Sequence, residues 1–247
     1  MSPPVVTLTI AGSDCCAGAG IQADLKTFSL LGLHGLTAIS TIVVQTPFKV
    51  YSYQEVSPET LREQIQVLLE SYRIAAIKTG LLGSSSHISA VADALTGTEI
   101  PLVIDPVLSA SSGADFGSPA AVEAYMTELL PLALVTTPNL PEALRLLRQN
   151  PHLDSEKPCP TEIAKELSNS LGISVLLTGG HSVTEGLLTD TFYSRGTTRE
   201  FTHPWIDLPS SHGTGCTHSA AITGLLGLGY DLGTSHLDGS GTDGPHP

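Results

Sequence analysis

Basic side chains are scarce in this sequence. It has 11 Lys and Arg against 24 Asp and Glu, a formal net charge of −13 over 247 residues. A nucleic-acid backbone or an anionic membrane needs clustered Lys and Arg, so neither is expected as a partner. A phosphate ligand would have to be held by backbone N–H groups, helix N-termini and metal ions. Long apolar runs are also missing, and none approaches the ~18 residues of a membrane helix. The opening Met-Ser-Pro-Pro-Val-Val has no basic segment followed by an apolar stretch, so no secretory signal is expected. The four cysteines, Cys15, Cys16, Cys159 and Cys216, show neither disulfide nor zinc-finger spacing. A reduced, cytoplasmic setting is the simplest reading.

What is present is a globular composition, 41% apolar and only 14% charged, long enough for one α/β domain or two small ones. Short β-rich runs alternate with amphipathic stretches. Val5–Ile10, Thr37–Gln45, Ile74–Thr79, Leu102–Asp105, Ala133–Thr137 and Ile173–Thr178 read as strands. Helices are expected at Ile21–Leu31, after the Ser57-Pro58 cap, and at Ser86–Leu95, Pro119–Leu130, Pro141–Leu147, Glu162–Leu171 and Gly215–Leu226. Gly186–Arg195 reads as part of a hairpin. This βαβ rhythm predicts a mostly parallel sheet with helices on both faces. Functional groups then belong at the carboxyl ends of the strands, where Asp14, Gln45, Lys78, Asp105, Asn139 and Thr178 fall. The segment 233–247 is low in complexity and is expected to be disordered.

Three segments carry chemistry. His212-Gly213-Thr214-Gly215-Cys216-Thr217 places two glycines before a helix of small and apolar residues. Such a loop can aim successive N–H groups at one anion, aided by the helix dipole. A thiol at that helix start is expected to have a lowered pKa. An inert strand–helix turn with a buried cysteine fits the same residues. Ala11–Gly20 is a loop of Gly, Ala, Ser, Asp and Cys, followed by Asp24. It contains neither a dinucleotide fingerprint nor a P-loop, and Asp24 alone reads as a first-turn surface acid. In Asn139-Leu140-Pro141-Glu142 the spacing suits a helix cap. It also suits oxygen ligands around a hydrated Mg²⁺.

Taken in order, Thr9–Asp14, Gly18–Phe28, Lys78–Gly83, Asp105-Pro106-Val107, Ser112-Gly113, Thr137–Ala143, Gly179-Gly180-His181 and His212–Thr217 resemble the hydroxymethylpyrimidine/phosphomethylpyrimidine kinase family. That is the thiamine-biosynthesis branch of the ribokinase superfamily. The resemblance implies one ribokinase-like three-layer domain over residues 1–232, with a mostly parallel central sheet. It implies two ATP-dependent phosphorylations, first of 4-amino-5-hydroxymethyl-2-methylpyrimidine and then of its monophosphate. Asp24 and Gln45 would recognise the ring, and Gly12, Val43, Leu81 and Val107 would complete the pyrimidine pocket. Gly213, Thr214 and Gly215 would form the anion hole, with Cys216 as base. Thr178 and Thr214, with Asn139, would face the nucleotide. Asp105, Asn139 and Glu142 would hold Mg²⁺. The partners implied are the pyrimidine and ATP, and a homodimer is left open.

The sequence departs from the family at Cys15-Cys16-Ala17, Thr46, Leu81 and Thr178. Thr178 stands where the family has a Lys that reaches nucleotide phosphate. Relatives continue with further helices beside the nucleotide, whereas this sequence trails off after Leu232, so a more open adenine side and weak ATP affinity are expected. Two rivals remain. A pyridoxal kinase of this superfamily would be expected to carry a second Cys in the flap after Val107, where this chain has Ser109, Ser111 and Ser112. A pyrimidine-binding protein with impaired catalysis would fit Thr178 and the short end.

Overall fold

The computed structural model describes residues 3–109, 113–147, 159–179, 183–184, 186–206 and 212–232. The expected tail at 233–247, the flap residues Ser111 and Ser112, and Gly180-His181 lie outside the described residues.

The central strands are short apolar runs because both their faces are covered. Strand β1 (Val6–Asp14) leads through a loop into α1 (Gly20–Leu30), then β2 (His34–Thr46) and β3 (Lys49–Glu55). Helix α2 (Pro58–Ser71), β4 (Ile74–Thr79), α3 (Ser85–Leu95) and β5 (Leu102–Ile104) follow. Next come α4 (Pro119–Ala124), β6 (Val135–Thr136), α5 (Leu140–Leu147), α6 (Pro160–Leu171) and β7 (Ser174–Leu177). The described chain closes with β8 (Val183–Thr184), β9 (Leu187–Ser194), β10 (Thr197–Pro204) and α7 (Thr214–Gly227).

The strands form one sheet in the order β10-β9-β7-β6-β5-β4-β1-β2-β3, with β8 paired to β9. From β2 to β7 all pairs are parallel; β3, β9 and β10 are antiparallel to their neighbours. Alternation along each strand divides the core. Ile77, Leu102, Ile104, Val175 and Leu177 point to one face with α2 to α6. Ala76, Val103, Val135 and Leu176 point to the other, against Ile222 and Leu226 of α7. Expected and observed strands agree to within a few residues, and β3, β8 and β10 are additions. β3 and β10 lie exposed along nearly their whole length, so neither shows the apolar run of a covered strand.

The helix expected over Pro119–Leu130 is α-helical only to Ala124. It passes into one π turn, Tyr125–Leu129, and a short 3₁₀ turn, Leu130–Leu132. Pro131 gives the reason: it has no N–H, and its ring crowds the carbonyl four residues back. Helix α2 starts as its sequence demands. The Ser57 side chain accepts from the Thr60 N–H, and Pro58 occupies the first turn.

Candidate active site

Two close backbone approaches shape the carboxyl end of the sheet, and the second sets it against α7. Gly20 opens α1 at φ +57°, and a Cβ there would run into the Gly12 carbonyl. Gly213 caps α7 at φ +83°, and a Cβ there would run into the Gly18 carbonyl. Only glycine satisfies both the left-handed backbone and the contact. The β1–α1 loop and the Gly213–Cys216 turn are therefore in direct contact.

Asp14, at the end of β1, holds this junction. Its Oδ2 accepts from the N–H groups of Gly18 (3.0 Å) and Ala19 (2.8 Å), and its Oδ1 accepts from the Cys16 N–H at 2.9 Å. His212 Nε2 lies 2.9 Å from Oδ2. Burial works against the charge, but the Cys16 and His212 side chains and the backbone donors hold this carboxyl well below the usual range.

Beneath the turn lies a buried polar cluster. Lys78 on β4 is fully enclosed, with Nζ 2.7 Å from Asp24 Oδ1. Thr9 Oγ1 donates to Asp24 Oδ2 at 2.6 Å. Burial alone would lower the lysine's pKa, but Asp24, and beyond it Cys216 and Asp105, hold it above the ordinary value. Asp24 thus departs from both expectations. It is not a surface acid, and it offers no accessible oxygen to a ligand; it is the counter-ion of Lys78. A lysine inside the apolar strand Ile74–Thr79 needs such a partner, and that was the available signal.

Asp105 follows β5 and is also buried. Ser219 Oγ, one turn into α7, donates to its Oδ2 at 3.0 Å. Burial raises the Asp105 pKa, against the pull of Lys78 and Ser219. Glu142 and Asn139 form a reciprocal cap. The Asn139 N–H donates to Glu142 Oε2 at 3.0 Å, and the Glu142 N–H donates to Asn139 Oδ1 at 2.9 Å. Burial, together with the charge of Asp105, pushes Glu142 up to about 8.

Cys216 requires a correction. The dipole argument expected a lowered thiol pKa, yet, although the residue as a whole is only half-buried, desolvation of its sulfur pushes it up to about 11. Lys78 and the Gly20 N–H pull it down, while Asp105 and Asp24 push it up. Desolvation outweighs the helix N-terminus.

The other expected residues gather at the same edge. Val43 is buried on β2 opposite Asp14 in the strand register. Gln45 follows, its backbone within 3.3 to 3.5 Å of Cys15 Sγ. A Cβ on Gly12 would lie 3.3 Å from Leu81, so these two are neighbours. Val107 follows Asp105, its N–H bonded to the Asp105 carbonyl. Thr178 bridges to Asn139 at the far end of the row, beside a shallow depression. Thr214 is exposed in the first turn of α7. Asp14 and Lys78 were expected at the strand ends but given no role there, His212 was expected only as the start of the glycine turn, and Ser219 was not singled out. Ser219 gives no sequence signal, and His212 meets Asp14 across 198 residues of chain.

A mostly parallel sheet whose strand ends meet a glycine turn at a helix N-terminus defines a ribokinase-like kinase, a phosphotransferase. The chain belongs to the phosphomethylpyrimidine kinase family, whose profile matches residues 14–238. A hydroxymethylpyrimidine/phosphomethylpyrimidine kinase of Rhizobium meliloti (strain 1021) is 38% identical over 227 residues, 92% of this chain and 84% of the relative. The solved phosphomethylpyrimidine kinase of Clostridium difficile 630 is 32% identical, with a TM-score of 0.78 and 94% of both chains covered. The ADP complex of Bacillus subtilis pyridoxal kinase gives a TM-score of 0.83 at 33% identity, covering 94% of this chain and 87% of that one.

Proposed function

We propose that this kinase uses Mg·ATP to phosphorylate the hydroxymethyl group of an aminopyrimidine and then the resulting monophosphate, in the cytoplasm and in the service of thiamine biosynthesis. The observation that carries the reading is the convergence of the Gly213–Cys216 turn with Asp105 and Lys78 at the strand ends. The pyrimidine would lie over Gly12, Val43, Gln45, Leu81 and Val107. ATP would reach the turn from the side of Asn139, Thr178 and Thr214.

In the transfer, the substrate hydroxyl oxygen bonds to the γ-phosphorus as the bond to ADP breaks. The N–H groups of Gly213–Cys216 would meet the charge on the transferred group; such preorganised donors often contribute roughly 3–4 kcal/mol each. The hydroxyl proton would pass to the Cys216 sulfur and then to solvent. At neutral pH the thiol is mostly protonated, so only its thiolate fraction would serve. Lys78, buried under the turn, would compensate the thiolate.

The residues fit a magnesium ion. Asp105 and Glu142 are both buried, and each lies in surroundings that raise its pKa. A divalent cation beside them would relieve that cost. Asp105, Asn139 and Glu142 supply the hard oxygen donors magnesium prefers. When bound, the ion would neutralise phosphate charge.

The pyridoxal kinase likeness supports a second reading, in which pyridoxal is the substrate. Parallel turnover assays with the aminopyrimidine and with pyridoxal separate the two. The exposed apolar side chains Ile42, Val44, Phe48, Tyr51 and Tyr53 on and between β2 and β3 support a homodimer, checked by light scattering.

A further inference from the structure

We propose that Asp14, Cys16 and His212 form a binding site for a divalent transition cation of the zinc type, clamping the β1–α1 loop to the turn before α7. Three different ligating side chains meet here, within 4.8 Å of one another. Cys16 Sγ lies 3.1 Å from Asp14 Oδ1 and 3.3 Å from Oδ2, and 3.7 Å from His212 Nε2. His212 Nε2 lies 2.9 Å from Asp14 Oδ2. A tetrahedral zinc with bonds of about 2.0 Å to nitrogen and oxygen and about 2.3 Å to sulfur separates its ligands by about 3.3–3.5 Å. The cluster is within a few tenths of an ångström of that geometry before any adjustment.

The donor set selects the ion. One thiolate, one imidazole and one carboxylate suit zinc and its neighbours, whereas magnesium prefers oxygen alone. The magnesium proposed above would sit at Asp105, Asn139 and Glu142, a different group of residues. The carboxylate is already oriented by the Gly18 and Ala19 N–H groups, the outer support that metal ligands usually carry. The Cys16 side is exposed, which gives the ion an entry path, while the Asp14 and His212 side chains are only 1% and 12% exposed.

Binding replaces the Cys16 S–H and His212 contacts to Asp14 with bonds to the ion, and the thiol proton leaves for solvent. Because His212 directly precedes Gly213, an occupied site fixes the turn that carries the Gly213–Cys216 donors.

The test titrates zinc into the whole purified chain against a chromophoric chelator, with no substrate or nucleotide present. Wild type binds one zinc per chain. Cys16→Ser weakens binding by more than the ~10–100-fold that losing a mere supporting partner costs. Cys15→Ser leaves it unchanged. Cobalt in wild type gives a thiolate-to-metal charge-transfer band that Cys16→Ser abolishes, and zinc raises the melting temperature of wild type only. Without zinc, Cys16→Ser melts cooperatively near the wild-type temperature, which shows that the variant folds. No binding by wild type, undiminished binding by Cys16→Ser, or equal loss in Cys15→Ser would overturn the assignment. The readout is metal binding, so it stands or falls independently of the substrate.

Discussion

Lys78 Nζ lies 2.7 Å from Asp24 Oδ1, and neither side chain reaches solvent. One residue comes from the carboxyl end of β4 and the other from the second turn of α1, so the pair ties a helix to the sheet below the Gly213–Cys216 turn. Asp105 and the Cys216 thiol act electrostatically on the same lysine. The buried cation thus serves as the common counter-charge for three acidic groups at the foot of the site.

Removing one partner should therefore act on stability before it acts on substrate binding. Lys78→Met leaves Asp24 uncompensated in the interior, a loss of roughly 3–5 kcal/mol. The double variant with Asp24→Leu should lose much less than the sum of the singles. Urea unfolding measures both. A loss under about 1 kcal/mol, the size of an exposed pair, would contradict the burial argument.

The Cys216 thiol, pushed up to about 11, predicts a pH profile. If its thiolate accepts the hydroxyl proton, kcat/KM should climb with pH through the neutral range and continue toward the thiol value. Cys216→Ala should lower turnover by on the order of 10²-fold and flatten the climb. Wild-type rates in that variant would reduce Cys216 to packing.

Glu142 predicts a slope in stability. Its carboxyl rises from an ordinary 4.5 to about 8, so between those values the folded chain keeps a proton that the unfolded chain has released. The stabilising contribution is complete below 4.5 and is lost as pH rises through about 8. Melting temperature should fall across this window, less steeply in Glu142→Gln and less steeply in wild type with Mg²⁺ added. A fall of equal steepness in all three would show that Glu142 is not the group responsible.

Much of this was legible in the sequence. Ile74–Thr79 names its own strand, and Ser57-Pro58 fixes the start of α2. The gathering of Gly12, Gln45, Asp105, Asn139 and Gly213–Cys216 at one edge follows from strands ending in polar residues in a parallel sheet. What was not legible depends on distance through space. An acid expected in the first turn of a helix looks solvated until β4 delivers a lysine to it. A cysteine at a helix start looks activated until the desolvation around its sulfur is known. The π turn at Tyr125–Leu129 needed the consequence of Pro131 to be followed back four residues.

Gly213 offers a test of the turn itself. Gly213→Ala puts a methyl group into the Gly18 carbonyl and strains a residue at φ +83°. Turnover should drop by about 10²–10³-fold, as when an oxyanion donor is lost. Pyrimidine affinity, measured by calorimetry, should change little, since the pocket residues lie elsewhere. Unchanged turnover would show that the turn does not hold the transferred phosphoryl group.

The most direct test of the account supplies the purified chain with Mg·ATP and, in separate reactions, the hydroxymethyl aminopyrimidine, its monophosphate and pyridoxal, following ADP release and identifying products by mass. The account predicts a monophosphate from the first, a diphosphate from the second, and slower turnover of pyridoxal. Pyridoxal phosphorylated much faster than the pyrimidine, or no phosphorylated pyrimidine at all, would contradict it.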